Sequence, residues 1–391
     1  MSEQGGKSGR RLLRSTWPYA AVGLAVAVGA AAVLWRVTPA SPRTPTVFAG
    51  ASDRLQRTEI IPTLDTPTES GKNVVWCAAF PLAWKKLQND LAGGPVRLDE
   101  AVAACDRLNA APDPSGDLPP DAFYAAAGWV NKGILDTIHA EMERRFPEKP
   151  RATFPEIVPD SFVAYAYLEA QVRFPLLYEE NKEPLDFTDS AGNVARVRSF
   201  GITRASSGHH RRLRGQVEVQ VKVLYQKRDA RGRLAEYALD LCRTSQPNQV
   251  VVALVAPRET LGATLAAVES GIASSPGGAR PHHLTVSDEL LVPVTSWRIK
   301  HEFRELQGRS FQNPTLGGRP MDVALLETQF RLDRSGAYVK AEARMHEKGK
   351  KGPRRFVLDR PFLVYMKKRG AKRPFFALWV DNAELLVKWD D

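Results

Sequence analysis

The sequence predicts a mixed α+β domain with N-terminal helices and large mixed or antiparallel sheets, preceded by a single transmembrane helix. Three observations carry that prediction. Apolar residues fall at helical spacing over residues 73–146, whereas short apolar or alternating runs dominate from residue 160 onward. No regular βαβ alternation is present, which argues against a parallel doubly wound sheet. Ahead of both lies a stretch, residues 17–35, without one charged side chain.

Lys7, Arg10, Arg11 and Arg14 make residues 1–16 a basic tail of the kind retained on the cytoplasmic side. At 1.5 Å per residue, the roughly 19 residues that follow span about 28 Å, close to the hydrocarbon thickness of a bilayer. Trp17, Tyr19 and Trp35 stand at the two ends, where amphipathic rings favour the interface. A cleaved signal peptide is the rival reading, because small residues follow in Thr38-Pro39-Ala40. The length of the apolar run favours an uncleaved anchor. Either way the rest of the chain is expected outside the cytoplasm, membrane-anchored at the periplasmic or cell-surface side, or secreted after cleavage. Residues 36–72, rich in Pro, Thr and Ser, read as a stalk, and residues 73–391 as the domain.

Within the domain, Val74, Val75, Ala78, Leu82, Leu87 and Leu91 follow helical spacing until Gly93-Gly94 ends the run. Residues 98–108 read as a second helix. Asp121 caps a third through about Lys132, and residues 134–146 continue helical. Strands are expected at residues 162–168, 185–187, 194–197, 217–225 and 250–255, with a helix over 260–268. Asp189-Ser190-Ala191-Gly192-Asn193 gives a hairpin turn. Strands at 290–294, 324–332, 337–345, 362–366 and 375–380 complete the chain.

An apolar content of 43% is enough to bury a sizeable core. Cys77, Cys105 and Cys242 read as three buried thiols, with a Cys77–Cys105 pair as the alternative in an exported chain. The net charge of +11 is concentrated in three basic runs, residues 209–214, 348–355 and 367–373. Each contains or borders Gly or Pro and reads as an exposed loop, solvated or attracting an anionic polymer or lipid headgroups. Nucleic acid is not an expected partner, since no basic motif is interleaved with aromatics. The chain also lacks a Gly-x-Ser-x-Gly elbow, a phosphate-binding Gly-x-x-x-x-Gly-Lys loop and a His-Glu-x-x-His pair, so no enzyme, cofactor or metal site is expected. His209-His210 and His282-His283 fall in loops, and His301-Glu302 lies on a helix-like stretch without a second His at ligand spacing.

The most informative stretch begins at Ala324. A strand reaches Asp333-Arg334-Ser335-Gly336, and then Ala337, Val339, Ala341 and Ala343 alternate with Tyr338, Lys340, Glu342 and Arg344. The basic Lys348-Gly349-Lys350-Lys351-Gly352-Pro353 follows, and Asp359-Arg360-Pro361-Phe362 opens a closing hairpin. This order resembles the serpins, a protease-inhibitor family whose chains end with a strand, a glycine hinge, a long exposed reactive loop and a hairpin led by Asp-Arg-Pro-Phe. Collinear segments agree: Asn73-Val74-Val75-Trp76-Cys77-Ala78-Ala79-Phe80-Pro81-Leu82, residues 162–198, 241–269 and 290–311. The last resembles the family's amphipathic helix ending Leu-x-x-Gly.

The resemblance implies a hinge at Arg334, Gly336, Ala337, Val339, Ala341 and Ala343, and a scissile bond near Lys350-Lys351. A basic residue there suits a trypsin-like serine protease. Arg334 stands where the family's hinge has Glu, residues 168–174 lack its Trp, and Phe80 replaces a serine. Two expectations follow: an inhibitor of such proteases, or a non-inhibitory module of the same fold using its basic loops as a binding surface.

Overall fold

The computed structural model describes residues 44–147, 154, 160–203, 218–275, 283–285, 287–335 and 354–389. All belong to one compact unit, Thr44–Asp391. The tail 1–16 and the apolar segment 17–35 lie outside the described residues. Among the described residues no helix is long and apolar enough to cross a membrane.

Two short strands, β1 (Phe48–Ala51) and β2 (Thr58–Ile60), precede β3 (Asn73–Cys77) and helix α1 (Ala79–Lys86). Helix α2 (Ala103–Ala110), β4 (Phe123–Trp129), helix α3 (Ile134–Arg145) and β5 (Phe162–Leu168) follow. Then come β6 (Glu179–Glu180), β7 (Leu185–Thr188), β8 (Val194–Val197) and β9 (Ser199–Ile202). Next are β10 (Lys222–Arg228), β11 (Leu234–Asp240), β12 (Asn248–Leu254) and helix α4 (Leu261–Ala273). The last strands are β13 (Glu289–Pro293), β14 (Thr295–Glu302), β15 (Leu325–Leu332), β16 (Arg355–Val357), β17 (Phe362–Lys368) and β18 (Phe376–Val380).

The largest sheet has seven strands in the order β10-β11-β12-β17-β18-β3-β2. Its middle strands β3, β12, β17 and β18 are apolar almost without interruption because both faces are covered. A four-stranded sheet runs β16-β13-β9-β6, a three-stranded one β1-β14-β15, and β4-β5 and β7-β8 form separate pairs. Trp297 of β14, Phe330 of β15 and Phe376 of β18 join the three-stranded sheet to the large one, with the Phe330 and Phe376 rings stacked at 4.4 Å. Close approach explains two glycines. A Cβ on Gly201 would lie 1.8 Å from the Leu290 carbonyl oxygen, and one on Gly128 would meet Ile134 of α3 at 3.0 Å.

Several expectations change. Residues 73–77 are a strand, because Val74, Val75 and Trp76 form a fully buried run between β2 and β18, and periodicity alone does not separate such a run from a helix. The Ala-rich residues 123–129 are a strand rather than a helix, since antiparallel pairing with β5 overrides propensity. Residues 218–220 are helical, so strand β10 starts only at Lys222. His301 lies in β14 rather than on a helix, and the chain leaves β14 through turns, not an amphipathic helix. Residues 44–72, assigned above to the stalk, enter the domain: β1 pairs with β14 and β2 with β3, drawing apolar Ile60 and Ile61 into the core. The three cysteines are free and buried, with no Cys77–Cys105 bond.

The basic runs also change character where they are described. Lys367 is buried against Glu269, Arg369 reaches Asp240, and Arg373 reaches Asp117. Arg354 is buried as well. Each of these four side chains is paired with a carboxylate of the same chain. Residues 209–214 and 348–353 lie outside the described residues.

Candidate functional site

Strand β15 alternates cleanly, with Leu326, Thr328, Phe330 and Leu332 inward and Glu327, Gln329 and Arg331 outward. It pairs with β14 along its whole length. Among the described strands nothing pairs with its other edge. Strand β5 is in the same position, paired with β4 and with no described strand on its far side. An open edge presents a row of unpaired N–H and C=O groups.

Contacts at both ends bring these two edges to one place. Ahead of the strands, Arg319 Nε donates to the Asp160 carbonyl at 3.0 Å while its guanidinium covers the Trp129 ring at 4.9 Å. Beyond them, the Tyr178 amide donates to the Arg334 carbonyl at 3.3 Å, and Arg334 Nε donates to the Tyr178 carbonyl at 3.1 Å. Beginnings meet and ends meet, so β5 and β15 run in the same direction. Helix α1 packs against both strands and against β4. Phe162, Ala164, Ala166 and Leu168 of β5 face the main core, while Val163, Tyr165 and Tyr167 face α3 through Ile134, Ile138 and Met142. The arrangement is a sheet divided into two halves over one helix.

The chain leaves β15 through a tightly bonded turn. Asp333 accepts from the Ser335 amide at 2.8 Å, the Ser335 hydroxyl at 2.7 Å and the Thr44 hydroxyl at 2.5 Å. Burial alone would raise the Asp333 carboxyl, but the Thr44 and Ser335 donors outweigh it and hold it below the usual range. Gly336, Ala337, Val339, Ala341 and Ala343, with Lys350 and Lys351, lie outside the described residues. Of the expected hinge, Arg334 alone is described, and its guanidinium also lies 3.9 Å from Glu180.

The chain is next described at Arg354, and there it is clamped. Arg354 is 8% exposed and Asp288 1%. The guanidinium donates to Asp288 Oδ2 at 2.6 and 3.0 Å and to the His283 carbonyl at 2.8 Å, and the Arg354 amide donates to Asp288 Oδ1 at 2.7 Å. The guanidinium also sits 5.3 Å from the Phe356 ring centroid. Burial would raise the Asp288 carboxyl, yet these donors hold it down. Downstream, the Asp359 carbonyl accepts from the Thr188 amide at 2.8 Å, and Phe362 packs edge-on against Phe187. The Asp288–Arg354 clamp and the Tyr178–Arg334 pair went unmarked in the sequence. Both join residues far apart in the chain, and Arg354 is hidden inside a basic run.

No family model matches the chain, and no curated protein matches it in sequence. Solved structures do match. Tengpin, a thermophilic serpin in its native state, is 11% identical with a TM-score of 0.47, covering 81% of this chain and 90% of that one. The mouse protein-Z dependent protease inhibitor is 13% identical with a TM-score of 0.45, covering 81% and 91%. AtSerpin1 of Arabidopsis, in its native stressed conformation, is 13% identical with a TM-score of 0.42, covering 81% and 93%. In fold, the chain is similar to serpins.

Proposed function

We propose that this chain is a serpin-like inhibitor of extracytoplasmic trypsin-like serine proteases, with the segment between Ser335 and Arg354 as bait. The observation that carries this reading is the divided sheet. Two parallel edges, β5 and β15, lie over α1 with no partner among the described strands, and the bait segment begins at the end of β15. A segment that turns back after β15 runs antiparallel to it, and therefore antiparallel to β5 as well. Both edges then gain a ladder partner.

Attack by a protease serine on the Lys350–Lys351 bond forms an acyl ester at Lys350 and frees the amine of Lys351. The severed arm inserts with Ala337, Val339, Ala341, Ala343 and Met345 on the buried side, and all five are small or apolar. Glu347 is the first charge on that side, so insertion meets a desolvation cost of several kcal/mol beyond Met345. The acylated enzyme is carried along before water releases it. The uncharged segment 17–35 supports an extracytoplasmic, tethered location for this chemistry.

Incubation of the protein with trypsin-like proteases tests the reading. A complex resistant to denaturant, lost in Lys350→Ala, is expected. Cleavage next to Lys350 with no complex at any ratio would refute it.

One observation favours a second reading, a non-inhibitory module of the same fold. Arg334 is tied to Tyr178 through two hydrogen bonds and approaches Glu180, closing the end of the gap that an inserting strand must enter first. On that reading the cut chain shows no rise in melting temperature.

A further inference from the structure

Residues 44–54 lie along the outer edge of β14 and are attached at both ends. At one end the Thr44 hydroxyl donates to Asp333, in the turn from which the bait segment leaves, at 2.5 Å. The Val47 amide then donates to the Ser296 carbonyl at 2.8 Å, and β1 pairs in parallel from Phe48↔Trp297 to Ala51↔Lys300. At the other end Ser52 Oγ lies 2.7 Å from His301 Nδ1, and Asp53 faces Arg304 at 3.4 Å. The stretch is thin: β1 has four residues, and none of them is fully buried. A four-residue parallel edge strand belongs to the low-stability end of a fold and can open while the rest stays folded.

We propose that residues 44–54 act as a detachable brace, coupling the chain upstream of Thr44 to the exit turn Asp333–Ser335. Docked, the brace covers the free edge of β14 and supplies one of the three hydrogen bonds to the Asp333 carboxylate, whose Oδ2 also faces Arg331 at 3.4 Å. Detached, it leaves that carboxylate, only 7% exposed with the brace in place, short of one hydrogen bond, and the turn loosens. Tension on the upstream chain, or a cut within it, is thereby read at the start of the bait segment. The consequence for inhibition rests on the function proposed above; the coupling itself does not.

Hydrogen exchange on the full chain tests it. Thr44→Val removes the hydroxyl, and Ala49→Pro breaks the ladder in the middle of β1, away from Asp333. Both are expected to speed exchange of the amides at 333–335 by about tenfold, the cost of one hydrogen bond to a charged group, with β12 unchanged. Exchange at 333–335 that stays at the wild-type rate in Ala49→Pro, while β14 amides accelerate, would overturn the proposal by showing a brace without coupling. An unchanged rate in Thr44→Val would overturn it equally. Rates of covalent complex formation with trypsin are measured beside these. If the unsubstituted chain forms no complex, the inhibitory reading fails while the exchange result stands on its own.

Discussion

Arg354 and Asp288 each owe their burial to the other. Two charges withdrawn from water are tolerated because the Arg354 amide, Nε and Nη2 all donate to the same carboxylate, and Nη2 also reaches the His283 carbonyl. Arg354→Met leaves Asp288 charged and dry, and a loss of about 3–5 kcal/mol in urea unfolding is expected. Adding Asp288→Leu should restore most of that loss; a double variant as unstable as the single one would show that the pair is not the cause. His301 is a half-buried titratable group. Burial first, then the Arg304 charge, lowers it to about 4, while Ser52 Oγ and the Phe303 ring line its remaining sides. A depressed histidine favours the neutral form when folded, so its contribution to stability is full above about pH 6.5 and is lost as pH falls toward about 4. His301→Asn should flatten the stability–pH curve across that window and leave it unchanged between pH 7 and 8.

Among the elements, Gly128 shows how a strand and a helix are fitted together. Strand β4 passes so close to α3 that a methyl group there meets three carbons of Ile134 at 3.0 to 3.2 Å. Gly128→Val is expected to destabilise by about 1–3 kcal/mol, read as a lower thermal midpoint, and Ile134→Ala in the same chain should relieve part of it. Strands with clean alternation or β-branched runs, such as β15 and β12, were legible in the sequence, as were the β7–β8 hairpin and the Thr260-capped helix α4. Strands β3 and β4 were not. One is a buried run whose period is hidden, and the other an alanine stretch whose propensity its partner strand overrides. The folding-in of residues 44–72 was equally hidden, since a short strand gains its stability from an edge that the local sequence does not display.

At the scale of the whole molecule, the divided sheet is the property that matters. The strand β15 and the hairpin that follows Asp359-Arg360-Pro361-Phe362 were legible, but the edges without a described partner were not, because an unpaired edge is a relation between two segments. A synthetic peptide carrying residues 337–345 should add to those edges and raise the melting temperature by several degrees at saturating concentration. The same peptide with Lys at the Ala341 and Ala343 positions should not, and equal shifts from both peptides would exclude the gap as their site. The order of the seven-stranded sheet has a further consequence. Strands β17 and β18 sit between β12 and β3, and β16 pairs with β13 beside the Arg354 clamp, so the chain downstream of the proposed bait segment is built into two sheets of the fold. A nicked molecule is therefore two polypeptides sharing one core. It would travel through a sizing column as a single species, and only denaturant would reveal the missing peptide bond.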